Sequence, residues 1–172
     1  KISAGYDLVA SAGYAERVGM TPIETPGKSY NINHFIGAAG KIIRSSLAER
    51  YSATAVAADA GYLAQCPDLG VALGFAAANL GGKMRFVESS DPLPATIRMG
   101  ASYLYKPRPL HDLIFAADGD FLFHDRLWHT AVGMEYFWNK LFGFRLGWQF
   151  NRSTLGLTVG LGLQWKQRST FD

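Results

Sequence analysis

Five side chains with charge or amide chemistry fall inside stretches that alternate like β-strands: Asp59, Arg98, Glu135, Arg145 and Gln149. Asp118 and Asp120 join them in a further stretch. Carboxylates and guanidiniums at alternate positions of neighbouring strands share a face, where they can exchange charge-assisted hydrogen bonds. Away from water such groups need partners or a wet cavity. The leading reading is a polar network in which Asp59, Asp118 or Asp120 pairs with Arg98 or Arg145, joined by Glu135. Contact with a substrate comes second, and no spacing supports catalysis. The four histidines are His34, His111, His124 and His129. His124 and His129 are five apart, so one strand would send them to opposite faces, which is not a zinc pattern. They read as loop or interfacial side chains. Ser45, Ser46, Ser89 and Ser90 lack the glycine-flanked turn of a hydrolase nucleophile. Cys66, the single cysteine, lies in QCPD with no adjacent base and reads as an inert thiol. The glycine pair of NLGGK (79–83) lacks the spacing of a phosphate-binding loop. Lys83 and Arg85 beside it are candidate polar contacts. The expectation is a non-enzymatic chain with no cofactor and no metal.

These side chains need strands to place them. The last regular stretch, Leu155 to Lys166, reads LGLTVGLGLQWK. Leu155, Leu157, Val159, Leu161, Leu163 and Trp165 share one parity, and glycine, threonine, glutamine and lysine fill the other. A strand turns these two sets to opposite faces. The same pattern recurs over 2–15, 30–43, 69–78, 96–105, 110–121, 128–138 and 142–150. Residues 53–64 are rich in alanine and could suit a helix. Alternation of Thr54, Val56, Ala58, Ala60 and Tyr62 with Ala57, Asp59 and Gly61 favours a strand. The connections carry glycine, proline and asparagine. They include VGMTPIETPGKS (18–29), SSLAERYS (45–52, a turn or short helix), SSDPLP (89–94) and Asn139-Lys140. About nine strands with short links make an antiparallel meander.

Composition asks which way the apolar face points. Only 18% of the residues are charged, below the roughly 25% of an ordinary soluble domain. There are 19 glycines in 172 residues, and the polar parity is built largely of glycine and alanine. The net charge of +3 is too balanced to imply nucleic acid. No apolar run reaches the roughly 20 residues of a membrane helix, but a barrel strand needs only about 9 to 11. Tyr30, Tyr103, Tyr105, Trp128 and Trp138 lie near strand ends, as aromatics at a membrane interface would. Asp59, Arg98, Glu135, Arg145 and Gln149 would then face a polar lumen. The expected fold is all-β, an antiparallel transmembrane β-barrel or part of one. No export signal precedes the first strand, so residues 1–172 read as one barrel segment incomplete at both ends.

The order of short motifs resembles the PorV/PorQ-like family of bacterial outer-membrane barrels, related in architecture to FadL-type transporters. The matching pieces are GKII (40–43), AADAGYL (57–63), GVALGFAAANLGGKMRF (70–86), DPLPATIRMGASY (91–103), GMEYF (133–137) and FRLGWQF (144–150). NLGGKMRF and LPATIRMG carry most weight, because they follow the family's order and spacing. The resemblance covers most of residues 37–163 and implies a barrel of about 14 strands. It implies a place in the bacterial outer membrane and a shuttle or transport role. Its partners would be outer-membrane lipid and secreted cargo or secretion-machinery proteins of the type IX system. FadL-like passage of hydrophobic small molecules is the alternative within that architecture. A soluble β-sandwich serving as a binding or assembly module is the alternative outside it. It explains the alternation equally well.

Overall fold

The computed structural model describes residues 5–47, 51–86, 89–151 and 156–164. Leu155, Trp165 and Lys166 of the final alternating stretch lie outside them. Eleven strands are seen: β1 (Tyr6–Thr25), β2 (Lys28–Leu47), β3 (Tyr51–Cys66), β4 (Val71–Gly81), β5 (Lys83–Phe86), β6 (Ser89–Pro92), β7 (Thr96–Arg108), β8 (His111–Leu122), β9 (Leu127–Trp138), β10 (Phe142–Phe150) and β11 (Leu157–Leu163). Nine form one antiparallel sheet in chain order, β1-β2-β3-β4-β7-β8-β9-β10-β11, and β5 and β6 form a separate hairpin. The alanine-rich stretch is a strand, as its alternation indicates.

The turns explain why the strands reverse where they do. Asn139 and Lys140 both take positive φ (54° and 53°), and the Leu141 N–H donates to the Trp138 carbonyl at 3.1 Å. Two successive positive-φ residues closed by that bond are the signature of a type I′ turn, and with Leu141 they make up the three-residue link between β9 and β10. Between β1 and β2 the chain turns at Pro26-Gly27, with Gly27 at φ 88°. The expected loop over 18–29 therefore shrinks to two residues. Pro22 stays within β1, paired with Asn31. A proline costs an edge strand little, because a residue there can turn its missing N–H away from the ladder. The stretch 89–94 also departs from expectation, since Ser89 to Pro92 pair with Lys83 to Phe86 as β6. The residues expected as a turn or short helix at 45–52 continue β2 to Leu47 and open β3 at Tyr51, with 48–50 outside the described residues.

Register fixes the two faces. Gly13 pairs with Ala39, Ala39 with Asp59, Ala76 with Arg98, Arg98 with Asp120, and Asp120 with His129. Paired residues share a face, so the small and polar parity runs across the sheet as one surface. The opposite surface carries Leu8, Ile36, Val56, Phe75, Met99, Phe115, Met134, Leu146 and Val159. All of them are exposed. The sheet curls around its polar side, where residues of β1, β2, β3, β4, β7, β8, β9 and β10 line a concavity of about 990 Å³.

Very little of the chain is buried. Among the described residues the buried apolar ones are Ala53, Ala55, Ala57, Cys66 and Leu93, and no large side chain is fully enclosed. Ala55, Ala57 and Leu93 form one cluster with Ile43 against it. They lie where the β5–β6 excursion meets the polar side of β3, tied by a 3.1 Å bond from the Gly82 N–H to the Val56 carbonyl. Alanine at alternate positions of β3 leaves room for that approach.

This architecture corrects the barrel expectation. β1 and β11 end the strand order and form no ladder with each other. The described sheet is thus open, whereas an outer-membrane barrel closes so that no edge strand is left without a partner. The outer-membrane location and the shuttle or transport role lose their basis with the closed barrel. So do the partners inferred from it: lipid, secreted cargo, secretion machinery and hydrophobic small molecules. Alternation reports which side chains share a face, whereas closure depends on pairing between the first and last strands, which alternation does not encode. Among the described residues no helix is long and apolar enough to cross a membrane, a statement about helices alone.

Candidate functional site

The polar concavity collects most of the chemistry of the chain. Its floor is made of small residues, among them Gly13, Gly37, Gly61, Gly74, Ala76 and Gly100. Asp59, Arg98, Asp118, Asp120, His129 and Gln149 line it as well. Of the five residues expected in one network, Asp59, Arg98 and Gln149 are therefore brought together. Glu135 and Arg145 lie further along the same face, lining a neighbouring groove of about 420 Å³ with Asp118 and Gln149.

The pairing differs from expectation. Asp59 Oδ2 meets Lys41 Nζ at 2.8 Å, and its Oδ1 accepts the Asn79 backbone N–H at 2.7 Å. The ladder between β3 and β4 shifts register between Ala58 and Ala60, so Ala78 and Asn79 of β4 bulge opposite the single residue Asp59. Asn79 lies across from it with φ 59° and donates from Nδ2 to the Pro94 carbonyl at 3.0 Å. One carboxylate thus ties β2, β3, β4 and the approach to β7. The Lys41 bond, with help from the Asn79 N–H and the more distant charge of Arg98, holds the Asp59 carboxyl below the ordinary carboxylate range against the opposing effect of burial.

Asp120 pairs with His129, Oδ2 to Nδ1 at 3.1 Å, across the β8–β9 hairpin. Glu135 pairs with Arg145, its register partner on β10. Arg98 stands opposite Asp120 in register, yet no ion pair among the described residues includes Arg98 or Asp118. Lys83 is exposed at the start of β5, and the side chain of Arg85 lies outside the described residues.

Lys41, Asn79 and His129 were not anticipated. The signal for His129 was present: Asp120 and His129 lie at comparable distances from the 123–126 turn, so a tight hairpin must bring them together. Lys41 is harder to foresee, because it reaches Asp59 diagonally. Its own register partner is Ala57, while Asp59 pairs with Ala39. Diagonal neighbours two residues out of register remain within reach of a long side chain.

The five aromatics are on or beside the apolar surface, on an open sheet rather than around a closed barrel. Trp128 and Trp138 are the second and last residues of β9, and both are exposed. Tyr103 and Tyr105 stack at 6.5 Å, Trp128 meets Phe121 at 5.1 Å, and Trp138 meets Phe142 at 5.8 Å. Tyr30 is half-buried on β2. The same surface carries two histidine–tyrosine pairs. His34 Nδ1 and the Tyr62 hydroxyl are 2.6 Å apart with stacked rings, and Thr21 Oγ1 lies 2.9 Å from His34 Nε2. His111 and Tyr136 repeat the 2.6 Å bond and the stack. These pairs stitch strands together and keep polar ring atoms satisfied on an apolar surface.

Among the described residues no group of three or more histidine, cysteine or acidic side chains is placed to hold a metal ion. No family model matches the sequence, and no curated protein matches it.

Proposed function

We propose that the chain is a non-enzymatic binding and assembly module, one curved β-layer that is completed by association. The observation that supports this is the mismatch between what is buried and what is exposed. Among the described residues five mostly small apolar side chains are buried, whereas Phe144, Leu146, Trp148, Val159, Leu161 and many others stand open on one face. A domain is ordinarily two packed layers around a core. Exposed apolar patches beyond a few hundred Å² mark interaction surfaces. Ordering each residue costs about 1–2 kcal/mol of backbone entropy, which the small buried cluster cannot offset. The missing stabilisation comes from contact with another protein surface. The polar face supports the same reading from the other side, because its ion pairs link neighbouring strands and stiffen the layer.

The test measures denaturant stability, apolar-dye binding and mass of the purified chain over a range of concentrations. Association predicts stability that rises with concentration and dye binding that falls as complexes form. A cooperative monomer with concentration-independent stability and no dye binding overturns the proposal.

A further inference from the structure

The sheet has two unequal edges. β11 spans seven residues, Leu157–Leu163, and β1 spans twenty, Tyr6–Thr25. Among the described residues each pairs with a single neighbour, β10 and β2 respectively. A free edge offers a row of unpaired backbone donors and acceptors, and proteins usually blunt it with lysine, proline, a bulge or a short strand. β1 does this only at its far end, where the register shifts between Arg17 and Gly19 and where Pro22 follows. From Tyr6 to Arg17 there is no proline, no lysine and no bulge. Nearly every residue of this strand is exposed.

We infer that the outer edge of β1 is a self-association site, pairing antiparallel with β1 of a second copy about a two-fold axis at Ala12. The inference rests on the assembly reading and adds to it an edge contact, which joins two copies side by side and leaves their apolar faces open for the face-to-face association proposed above. Charge selects the register. Asp7 and Arg17 lie on the polar face, opposite Ser45 and Phe35 of β2. With Ala12 opposite its own copy, Asp7 of each chain faces Arg17 of the other, forming two equivalent cross-strand ion pairs. Ser11 then meets Gly13, so only small residues occupy the centre. An axis perpendicular to the sheet keeps both apolar faces on one side and both concavities on the other. The interface is isologous and closes at two copies.

The alternative, β1 on β11 of another copy, fits less well. The polar parity of β11 is Thr158, Gly160 and Gly162, which leaves Asp7 and Arg17 without partners. That contact is also head-to-tail and builds rings or filaments rather than a dimer.

The experiment uses the whole chain with Ala12→Cys, the unaltered chain with its buried Cys66 as control, and Val159→Cys on β11. Facing residues of an antiparallel pair are about 4.5–5.5 Å apart between Cα atoms, within disulfide reach. Mild oxidation is expected to give a covalent dimer with Ala12→Cys and neither with the control nor with Val159→Cys. Arg17→Asp is expected to weaken the dimer about tenfold, and Asp7→Arg with Arg17→Asp to restore it, with far-ultraviolet circular dichroism reporting the retained sheet. Cross-linking through Val159→Cys with species beyond the dimer overturns this inference and leaves the assembly reading standing. Association with no cross-link at either position does the same. A strict monomer at all concentrations overturns both.

Discussion

The two faces of the one sheet are drawn from the same strands and solve opposite problems. On the concave face, charges meet within the chain: Asp59 with Lys41, Asp120 with His129, Glu135 with Arg145. On the convex face, apolar side chains meet chiefly their neighbours along the sheet and otherwise stand open, with Val159 72% and Leu161 78% exposed. The first face pairs these charges internally, with Arg98 and Asp118 outside any ion pair among the described residues, and the second leaves its side chains open. The ion pairs of this chain therefore lie on the polar face, and the face-to-face association proposed above draws on the apolar one.

That contrast fails if substitutions on the two faces cost the folded chain the same. The largest effect is expected at Asp59→Ala. It leaves the half-buried Lys41 ammonium and the Asn79 N–H without their acceptor, a loss of about 2–3 kcal/mol in urea denaturation. Acidification should approach the same state by another route. The folded Asp59 carboxyl is lowered, so its contribution is present above the unfolded value near 3.9 and is lost as pH falls through the lower folded value. Midpoints measured from pH 5 downwards should fall, and Asp59→Asn should flatten that segment of the profile. Glu135→Gln is next, at about 0.5–1 kcal/mol, because Arg145 is largely solvated. Smallest of all is Leu161→Ser, within about 0.5 kcal/mol for the dissociated chain, since the side chain is already in water. The same substitution should weaken association measurably. Equal losses at Asp59 and Leu161 in the dissociated chain would erase the distinction between the faces.

The elements of this fold were readable because strand alternation is a local property. β7, β8, β9 and β10 lie within a few residues of the stretches that alternate, and the reversal at Asn139-Lys140 is visible as a short connection. What could not be read was longer in range. Pro22 looks like a loop signal until β1 is known to be an edge. Ser89 to Pro92 look like a turn until β5 is there to pair with them. Asp59, Arg98 and Gln149 were expected together and do share the concavity, yet the partner of Asp59 is Lys41, chosen by register and a bulge rather than by opposite charge alone. Closure was the furthest from view, since it concerns the two strands that no hairpin joins.

The order of the sheet has a kinetic consequence. Every ladder in the main sheet joins strands that follow one another in it, and only the short β5–β6 excursion interrupts the succession. Contact order is therefore low for a sheet of this width, and each rung closes a loop little longer than its predecessor. Zippering can start at several reversals at once, with the Asn139-Lys140 corner among the tightest, and spread outward along each hairpin. Layer formation is then a rapid unimolecular event. Under the proposed self-association, the encounter between copies is the slow step, and its rate grows with protein concentration.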